Sequence, residues 1–213
     1  MRLTKFGHAC IRVESGDAVI VIDPGVFTEP EAVADATDIL ITHEHPDHWS
    51  SEHLLACDAR IFTIQAVADQ IAQSASEAVD RLQVVSPGDR IHAGVPVQVI
   101  GEKHAIIYRQ LPHFDNSGFL LDLDGRKLFH PGDALTVPDQ PIDLLCLPVS
   151  APWLKISECI DYARAVAAPR SVAIHDMIYS QPALDIAAGH LSRFLEPDGL
   201  SYERIEQGQD FAI

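Results

Sequence analysis

The segment HEHPDH, at positions 43–48, places three histidines and two acids in six consecutive residues. In an extended loop, residues two apart project to the same side, so His43 and His45 can share one ion while Asp47 and His48 face another. Imidazole nitrogens and carboxylate oxygens are the usual ligands of zinc and its neighbours, and a catalytic site keeps one position open for water. The spacing therefore predicts a metal site, against the alternative of a solvated histidine-rich loop.

Three further polar residues follow predicted strands elsewhere in the chain. His104 comes after VQVIGEK, Asp133 after KLFHPG, and His175 after SVAI. Loops at strand ends, held by a rigid sheet, are where convergent sites are usually built. We therefore expect these segments to meet at one edge of the core and to supply the ligands that HEHPDH lacks.

The elements that must position these loops alternate between strands and helices, without a low-complexity linker or a short repeat. Apolar runs and turn residues predict strands over 3–13, 18–22, 38–42, 59–64, 82–85, 95–100, 144–149 and 172–174, a hairpin over 117–130 and a short closing run over 210–213. Helical patterns cover 31–37, 51–57, 67–78, 156–167 and 182–195. Two packed sheets with helices outside accommodate this order, in one domain over residues 1–213.

Bulk composition limits the classes of function. Apolar residues make up 47% of the 213 residues and charged residues 22%, so the chain can bury a core and is neither disordered nor fibrous. Its 15 basic and 31 acidic residues leave a formal charge of -16, which repels phosphate backbones. We therefore expect a small-molecule substrate and no nucleic-acid partner, while the oligomeric state stays open.

The N-terminus and the cysteines indicate a cellular location. The opening MRLTKFGHACIRVESG enters a strand pattern directly and lacks the apolar run and cleavage site of a signal peptide. No stretch approaches about 18 apolar residues, so we expect no membrane-spanning segment. The cysteines lack CxxC spacing, which favours free thiols in a reducing cytoplasm; they are Cys10, Cys57, Cys146 and Cys159.

The motifs and their order resemble the metallo-β-lactamase-fold hydrolase superfamily over nearly the whole chain. The resemblance is to the branch of small cytoplasmic metal-dependent hydrolases related to ascorbate-6-phosphate lactonase. It implies an α/β fold, a four-layer αββα sandwich, and two divalent metal ions, with Zn²⁺ as the first choice and Mn²⁺ or iron as alternatives. Carried over by position, the ligands form two sets with Asp133 between them: His43, His45 and His104 for one ion, and Asp47, His48 and His175 for the other.

The resemblance also implies a reaction. Two adjacent cations can generate hydroxide near neutral pH, and a metal-bridging hydroxide would cleave a small ester, lactone, thioester or phosphodiester. Asp47 would be the catalytic residue, both a ligand and the group that orients the water or takes its proton. No G-x-S-x-G nucleophile motif is present. The alternatives are an iron-dependent oxidoreductase on the same fold and a non-catalytic metal-binding protein.

Two positions near the predicted ligands keep more than one interpretation. His113 in RQLPHFDNSG competes with His104 for the third-ligand role, and we favour His104 because GEKHA follows its strand directly. His8 is either a supporting residue beside the metals, paired with Asp23, or a polar turn residue. Asp23 in IDPG falls where the family carries an acid that supports the first metal loop.

Other candidates are weighed between pocket and structural roles. Trp153, beside two prolines at a strand end, either walls a substrate pocket or anchors the following helix. Tyr108 and Arg109 could reach an anionic substrate, and His130 either orients the loop of Asp133 or has a purely structural role. The remaining histidines are expected to be solvated: His53, His92 and His190.

Overall fold

Fourteen strands in two seven-stranded sheets form the centre of the molecule in this computed structural model, which describes residues 1–213. In chain order the strands are β1 (Arg2–Lys5), β2 (Ile11–Ser15), β3 (Ala18–Ile22), β4 (Asp38–Ile41), β5 (Arg60–Thr63), β6 (Leu82–Val84), β7 (Arg90–Ala93), β8 (Val95–Ile100), β9 (Gly118–Leu123), β10 (Arg126–His130), β11 (Leu144–Pro148), β12 (Arg170–Ile174), β13 (Ser201–Glu203) and β14 (Asp210–Phe211). The α-helices are α1 (Ser51–Leu55), α2 (Gln65–Ser74), α3 (Ile156–Val166) and α4 (Gln181–Leu195). Short 3₁₀ helices cover Pro30–Val33, Ser76–Arg81 and Glu196–Asp198.

The two sheets share one topological plan. The first has the order β14-β1-β2-β3-β4-β5-β6, antiparallel from β1 to β3 and parallel from β3 to β6. The second has the order β13-β12-β11-β10-β9-β8-β7, antiparallel from β7 to β10 and parallel from β10 to β13. Parallel neighbours need a crossover, which helices supply for most pairs, whereas the irregular segment 131–143 connects β10 to β11. Strands β1, β3 and β4 therefore end at one edge of the first sheet, and β8, β10, β11 and β12 end at one edge of the second.

Three apolar clusters define the layers. The central one joins 20 buried residues from the facing surfaces of both sheets, because alternate strand residues such as Phe119 and Leu121 point inward. Leu120, between them, points outward into the 18-residue cluster beneath α3 and α4. A third cluster, of 15 buried residues, lies between the outer face of the first sheet and helices α1 and α2. The predicted four-layer αββα sandwich is confirmed. None of the helices is long and apolar enough to cross a membrane.

The hairpin predicted over 117–130 is confirmed as β9 and β10. Asp124 and Gly125 at its tip both have positive φ, 56° and 86°, as a two-residue type I′ turn requires. The predicted strand over 3–13 is wrong in one respect, since it is two antiparallel strands, β1 and β2. The chain reverses at Gly7 and His8, where a Cβ on Gly7 would lie 1.9 Å from the carbonyl oxygen of Phe27.

Other differences concern short elements. Strands β7 and β13 were not predicted, because RIHA and SYE carry no apolar run. The predicted helix over 31–37 is a single 3₁₀ turn. The predicted helix over 67–78 divides at Ala75, whose φ and ψ of -144° and 51° are not helical. Such short segments form because neighbouring strands offer them hydrogen bonds, which local sequence does not record.

Candidate metal centre

The seven predicted ligands converge at the edge where the strands of both sheets end. One donor atom from each residue of His43, His45, His104 and Asp133 lies within 4.8 Å of the others. The same spacing holds for a second cluster, His8, Asp47, His48 and His175. The structure thus brings together all seven predicted residues and adds His8.

Asp133 lies between the two clusters, as the resemblance implied. Its Oδ1 is 3.1 Å from His48 Nε2, and its Oδ2 is 3.1 Å from His175 Nε2 and 3.3 Å from His104 Nε2. His113 does not join either cluster, because its Nε2 contacts the backbone carbonyl of His104 at 2.8 Å. His104, and not His113, is therefore the histidine that faces Asp133, while its role as the third ligand stays a prediction.

Asp23 holds the HEHPDH loop in place. Its fully buried carboxylate accepts hydrogen bonds from Thr42 N and Thr42 Oγ1, both at 2.8 Å, and from His48 Nδ1 at 2.7 Å. The last contact fixes the His48 ring so that Nε2 faces the centre, which is how carboxylates orient metal-binding imidazoles. The supporting role that the resemblance implied for Asp23 matches this placement.

Backbone carbonyls orient two further rings in the same way. His175 Nδ1 lies 2.5 Å from the carbonyl oxygen of Ser150, and His104 Nδ1 lies 2.5 Å from that of Ala105. Each Nδ1 is therefore the donor, and each Nε2 is left to face the centre. His175 also has a φ of 55°, a left-handed backbone that turns its side chain inward at the end of β12.

Unsatisfied buried atoms show that this arrangement fits a cation. Three atoms are buried without a hydrogen-bond partner: His48 Nε2, His104 Nε2 and Asp133 Oδ1. His48 Nε2 and Asp133 Oδ1 lie 3.1 Å apart, which is the separation of an ion pair, but the two groups are not aligned for a hydrogen bond. Buried polar atoms are rarely left in this state. Nitrogen and carboxylate donors of this kind are the ligands that Zn²⁺, Mn²⁺ and iron accept.

The charges around the centre also favour a bound cation. Burial alone would lower the pKa of His175, but the charge of Asp133 and its hydrogen bond raise that pKa to about 9. Burial likewise opposes protonation of His48, yet Asp133 and Asp23 hold the pKa of His48 well above its usual value. Burial would raise the pKa of Asp47, but hydrogen bonds from His175 and His8 hold it well below its usual value. The carboxylates of the centre therefore favour positive charge at the neighbouring imidazoles.

Of the two interpretations of His8, the structure favours a position beside the centre, where the contact is with Asp47 and not with Asp23. Its Nδ1 accepts a hydrogen bond from Met177 N at 3.4 Å, so its proton lies on Nε2, which donates to Asp47 Oδ2 at 3.1 Å. Burial lowers the pKa of His8 to about 4, which keeps the ring neutral at neutral pH. His8 is thus oriented as a hydrogen-bond donor to Asp47.

Lys5 is a supporting residue that the sequence pattern did not predict. Its side chain is fully buried, and its Nζ donates to the carbonyl oxygens of Phe6 at 2.5 Å and His8 at 2.8 Å and contacts Asp176 Oδ1 at 3.3 Å. The His8 carbonyl also accepts from His175 N at 3.0 Å. Lys5 therefore ties the loop of His8 to the loop of His175. Its signal in the sequence is its position two residues after Leu3, on the inward face of β1.

Asn116 is a second residue that was missed. Its Nδ2 donates to the carbonyl oxygen of Pro131 at 2.8 Å, and its Oδ1 accepts from Asp133 N at 3.0 Å. A Cβ on Gly132 would lie 2.4 Å from Asn116 Oδ1. The amide therefore holds the backbone on both sides of Gly132 and fixes the approach of Asp133.

Gly25 allows the HEHPDH loop to pack closely, and Gly25→Ala is expected to displace it. A Cβ at this position would lie 1.9 Å from the carbonyl oxygen of Asp47 and 2.6 Å from His48 N. Backbone atoms cannot swing aside, so we expect a loss of about 2–3 kcal/mol in the free energy of unfolding and reduced metal uptake. Urea unfolding and metal analysis measure the two effects.

The matched control is Gly189→Ala in α4, where nothing lies within 4 Å of the added Cβ. This change should stabilise the helix by about 0.5–1 kcal/mol and leave metal content unaltered. Equal effects of the two substitutions would contradict the close packing that we assign to Gly25.

Trp153 combines the two roles that its sequence position left open. Its indole Nε1 donates to Asp133 Oδ2 at 3.2 Å, while the ring packs on the cluster beneath α3 and α4.

His130 is buried, and its Nε2 donates to the Ala9 carbonyl oxygen at 2.8 Å, while its Nδ1 accepts from Gly132 N at 3.2 Å. It therefore orients the loop of Asp133 as well as joining β10 to the N-terminal loop.

The remaining histidines differ among themselves. The expectation that His53 is solvated is wrong, because it is buried and its Nε2 contacts the Thr28 carbonyl at 3.1 Å. His53 lies in α1, and its contact is with the loop that follows β3, which its local sequence does not show. His92 and His190 are exposed, as expected. All four cysteines are free thiols, as expected.

Comparison with known proteins identifies the class. Residues 2–175 match the family described as "Beta-lactamase superfamily domain", which covers most of the chain. The chain therefore belongs to this family, and its two sheets with outer helices have the metallo-β-lactamase fold. The expected superfamily is confirmed, whereas the narrower relation to ascorbate-6-phosphate lactonase is not supported and stays a prediction.

Individual relatives span nearly the same length. Protein Rv0786c from Mycobacterium tuberculosis is 38% identical over 202 residues, which cover 93% of this chain and 94% of that protein. The UPF0173 metal-dependent hydrolase PYRAB05000 from Pyrococcus abyssi is 30% identical over 165 residues, covering 70% of this chain and 72% of that protein. Igni18, a novel metallo hydrolase from Ignicoccus hospitalis, matches with a TM-score of 0.75 and 17% identity, covering 99% of this chain and 97% of that chain. The last likeness shows the fold alone.

Proposed function

We propose that this protein is a metal-dependent hydrolase that uses two divalent cations, Zn²⁺ first, to cleave a small ester, lactone, thioester or phosphodiester. The observation that carries the proposal is the pair of adjoining donor clusters with Asp133 between them. A relative also supports the proposal, since PYRAB05000 is named a metal-dependent hydrolase. The residues that would hold the cations are His43, His45 and His104 for one, and Asp47, His48 and His175 for the other, with Asp133 shared.

When bound, such a cation pair would lower the pKa of water towards 7 and stabilise negative charge on a substrate oxygen. The protein's own contribution is orientation. Asp133 is fixed by Trp153 Nε1 and Asn116, and His48 is fixed by Asp23. These hydrogen bonds hold the donor side chains in position before substrate binds. A preorganised site of this kind does not have to reorient its donors during the reaction.

Asp47 is the residue that faces both the centre and the open cleft. Its side chain is 21% exposed, whereas the other acid of the centre, Asp133, is 3% exposed. His8 Nε2 lies 3.1 Å from Asp47 Oδ2 and His175 Nε2 lies 3.4 Å from the same oxygen. Both contacts are to Oδ2, which leaves Oδ1 to accept a hydrogen bond from water. We therefore assign Asp47 the orientation of the attacking water.

Metal removal and return test this function. We expect protein stripped with a chelator to take up two Zn²⁺ or Mn²⁺ per chain, and to gain about 2.7 kcal/mol of stability for each occupied site when free metal is 100 times its Kd. The loaded protein should hydrolyse at least one of phenyl acetate, γ-butyrolactone, S-phenyl thioacetate and bis(4-nitrophenyl) phosphate. Metal counting, thermal unfolding and product release are the measurements.

The competing functions give different results in the same experiment. Stoichiometric iron in freshly purified protein, together with oxygen uptake, would replace hydrolysis by oxidoreductase chemistry. Tight metal binding without turnover of any substrate class would indicate a metal-binding protein without catalytic activity.

A further inference from the structure

The cleft beside the candidate metal centre has apolar walls. Its cavity measures about 150 Å³, and its floor is formed by residues of the two donor clusters. The walls are Ile107, Pro152, Trp153 and Ile178. They come from the loops that follow β8, β11 and β12, the same strands that lead to His104 and His175. Whatever reaches the metals must therefore lie against apolar side chains.

No lysine or arginine lines this cleft. Lys103 pairs with Asp115, and the Arg109 guanidinium lies 6.0 Å from the ring centroid of its neighbour Tyr108. Neither Tyr108 nor Arg109 lines the cavity, so the geometry does not support their predicted contact with an anionic substrate. An anionic group that extends away from the metals would be desolvated without a counter-charge, which is costly.

The rim of the cleft continues the apolar character. Large apolar side chains are exposed in the loops that follow β3, β8 and β12, although such residues usually avoid water when they lie together. They include Val26, Phe27, Ile106, Tyr108, Met177 and Tyr179. These loops are the ones that carry Asp23, His104 and His175, so the exposed apolar side chains lie on the same loops as residues of the centre.

We propose that the cleft binds the uncharged, apolar part of the substrate, a group of about the size of a benzene ring, and that Ile107, Trp153 and Ile178 determine this specificity. A cavity of about 150 Å³ with apolar walls is large enough for benzene. The proposal rests on the hydrolase function above and narrows its substrates to neutral esters, lactones or thioesters that carry a small hydrophobic group. Charged and strongly polar substrates fit the walls poorly.

A matched pair of esters tests this specificity in the zinc-loaded protein. Phenyl acetate and 4-carboxyphenyl acetate share the scissile bond and the ring and differ by one carboxylate. We expect kcat/KM to be higher for phenyl acetate by about tenfold or more, because the apolar walls leave the carboxylate unpaired. Ile178→Lys should narrow or reverse this ratio by supplying a cation at the cleft. Ile186→Lys, on the exposed face of α4, should leave the ratio unchanged.

Equal kcat/KM values for the two esters, unmoved by Ile178→Lys, would overturn the proposed specificity while leaving the hydrolase function intact. A ratio that favours the carboxylated ester in the unsubstituted protein would overturn it as well.

A binding measurement separates this proposal from failure of the hydrolase function. The chain has two tryptophans, of which Trp153 lines the cleft and Trp49 is buried elsewhere. We expect cyclohexanol, but not glycerol, to change the tryptophan emission of the zinc-loaded protein saturably, and Trp153→Phe to abolish that change. If none of the ester, lactone, thioester and phosphodiester substrates is hydrolysed but this signal is seen, the apolar cleft stands and the hydrolase function fails. Absence of a saturable signal would overturn the apolar cleft.

Discussion

Asp47→Asn is expected to lower the kcat/KM of the metal-loaded protein by about 100-fold or more while leaving the fold intact. Asparagine keeps the size of the side chain, but it removes the charge that His8 and His175 contact and weakens the acceptor that we assign to the water. The side chain is partly exposed at the cleft, so no apolar packing is lost. The main effect should therefore appear in turnover and metal affinity, with a smaller loss in the free energy of unfolding of the metal-free protein, because His8 and His175 stabilise the ionised Asp47.

The measurement compares turnover at saturating zinc, metal content and urea unfolding for both proteins. Glu44→Gln is the matched control, because Glu44 lies in the same loop but its side chain belongs to neither donor cluster. We expect this control to keep turnover close to that of the unsubstituted protein. If Asp47→Asn retained full turnover with both metals bound, Asp47 would not be the residue that orients the water.

Lys5→Met is expected to cost about 3 kcal/mol in the free energy of unfolding. The substitution keeps the length of the buried side chain but removes the donor for the Phe6 and His8 carbonyls and the positive charge beside Asp176. A buried acceptor without a donor costs its desolvation, and a carboxylate without its partner costs more. Because the His8 carbonyl also accepts from His175 N, metal affinity at the second cluster should fall as well.

Urea unfolding of the metal-free protein and zinc titration check these two effects separately. Lys155→Met supplies the control, since the Lys155 side chain is 77% exposed and its pairing with Glu158 is on the surface. Its effect should stay within about 0.5 kcal/mol. Unfolding of Lys5→Met at the same urea concentration as the unsubstituted protein would show that the buried contacts of Lys5 contribute no net stability.

Much of the candidate centre follows from local sequence. The HEHPDH loop directly follows the short apolar run that forms β4, and His104, Asp133 and His175 lie in loops that follow further strands. Strands of one direction end at one edge of a sheet, so residues placed after several of them come together without any knowledge of side-chain contacts. The turn at Asp124-Gly125 and the order of the longer strands could be predicted for the same reason, since each depends on neighbouring residues.

The supporting contacts could not be predicted in this way. Lys5 and Asp176 are far apart in the sequence, and so are His8 and Asp47, and their pairing depends on the left-handed backbone at His8 and His175. The burial of His53 depends on the Thr28 carbonyl, which a different loop supplies. Such partners are chosen by the packing of whole elements, which no short sequence window contains.

By itself, the sequence determined the fold class, the strand ends and the residue types that gather there, because these depend on hydrophobic periodicity, turn chemistry and the preferences of metals for nitrogen and oxygen. Only the tertiary structure decided which ring nitrogen faces the centre, which residue pairs with Asp47, and that Ile107, Trp153 and Ile178 form one apolar wall. In the sequence, these apolar residues lie in separate loops. They become one surface because the two sheets bring the ends of β8, β11 and β12 to the same edge of the sandwich.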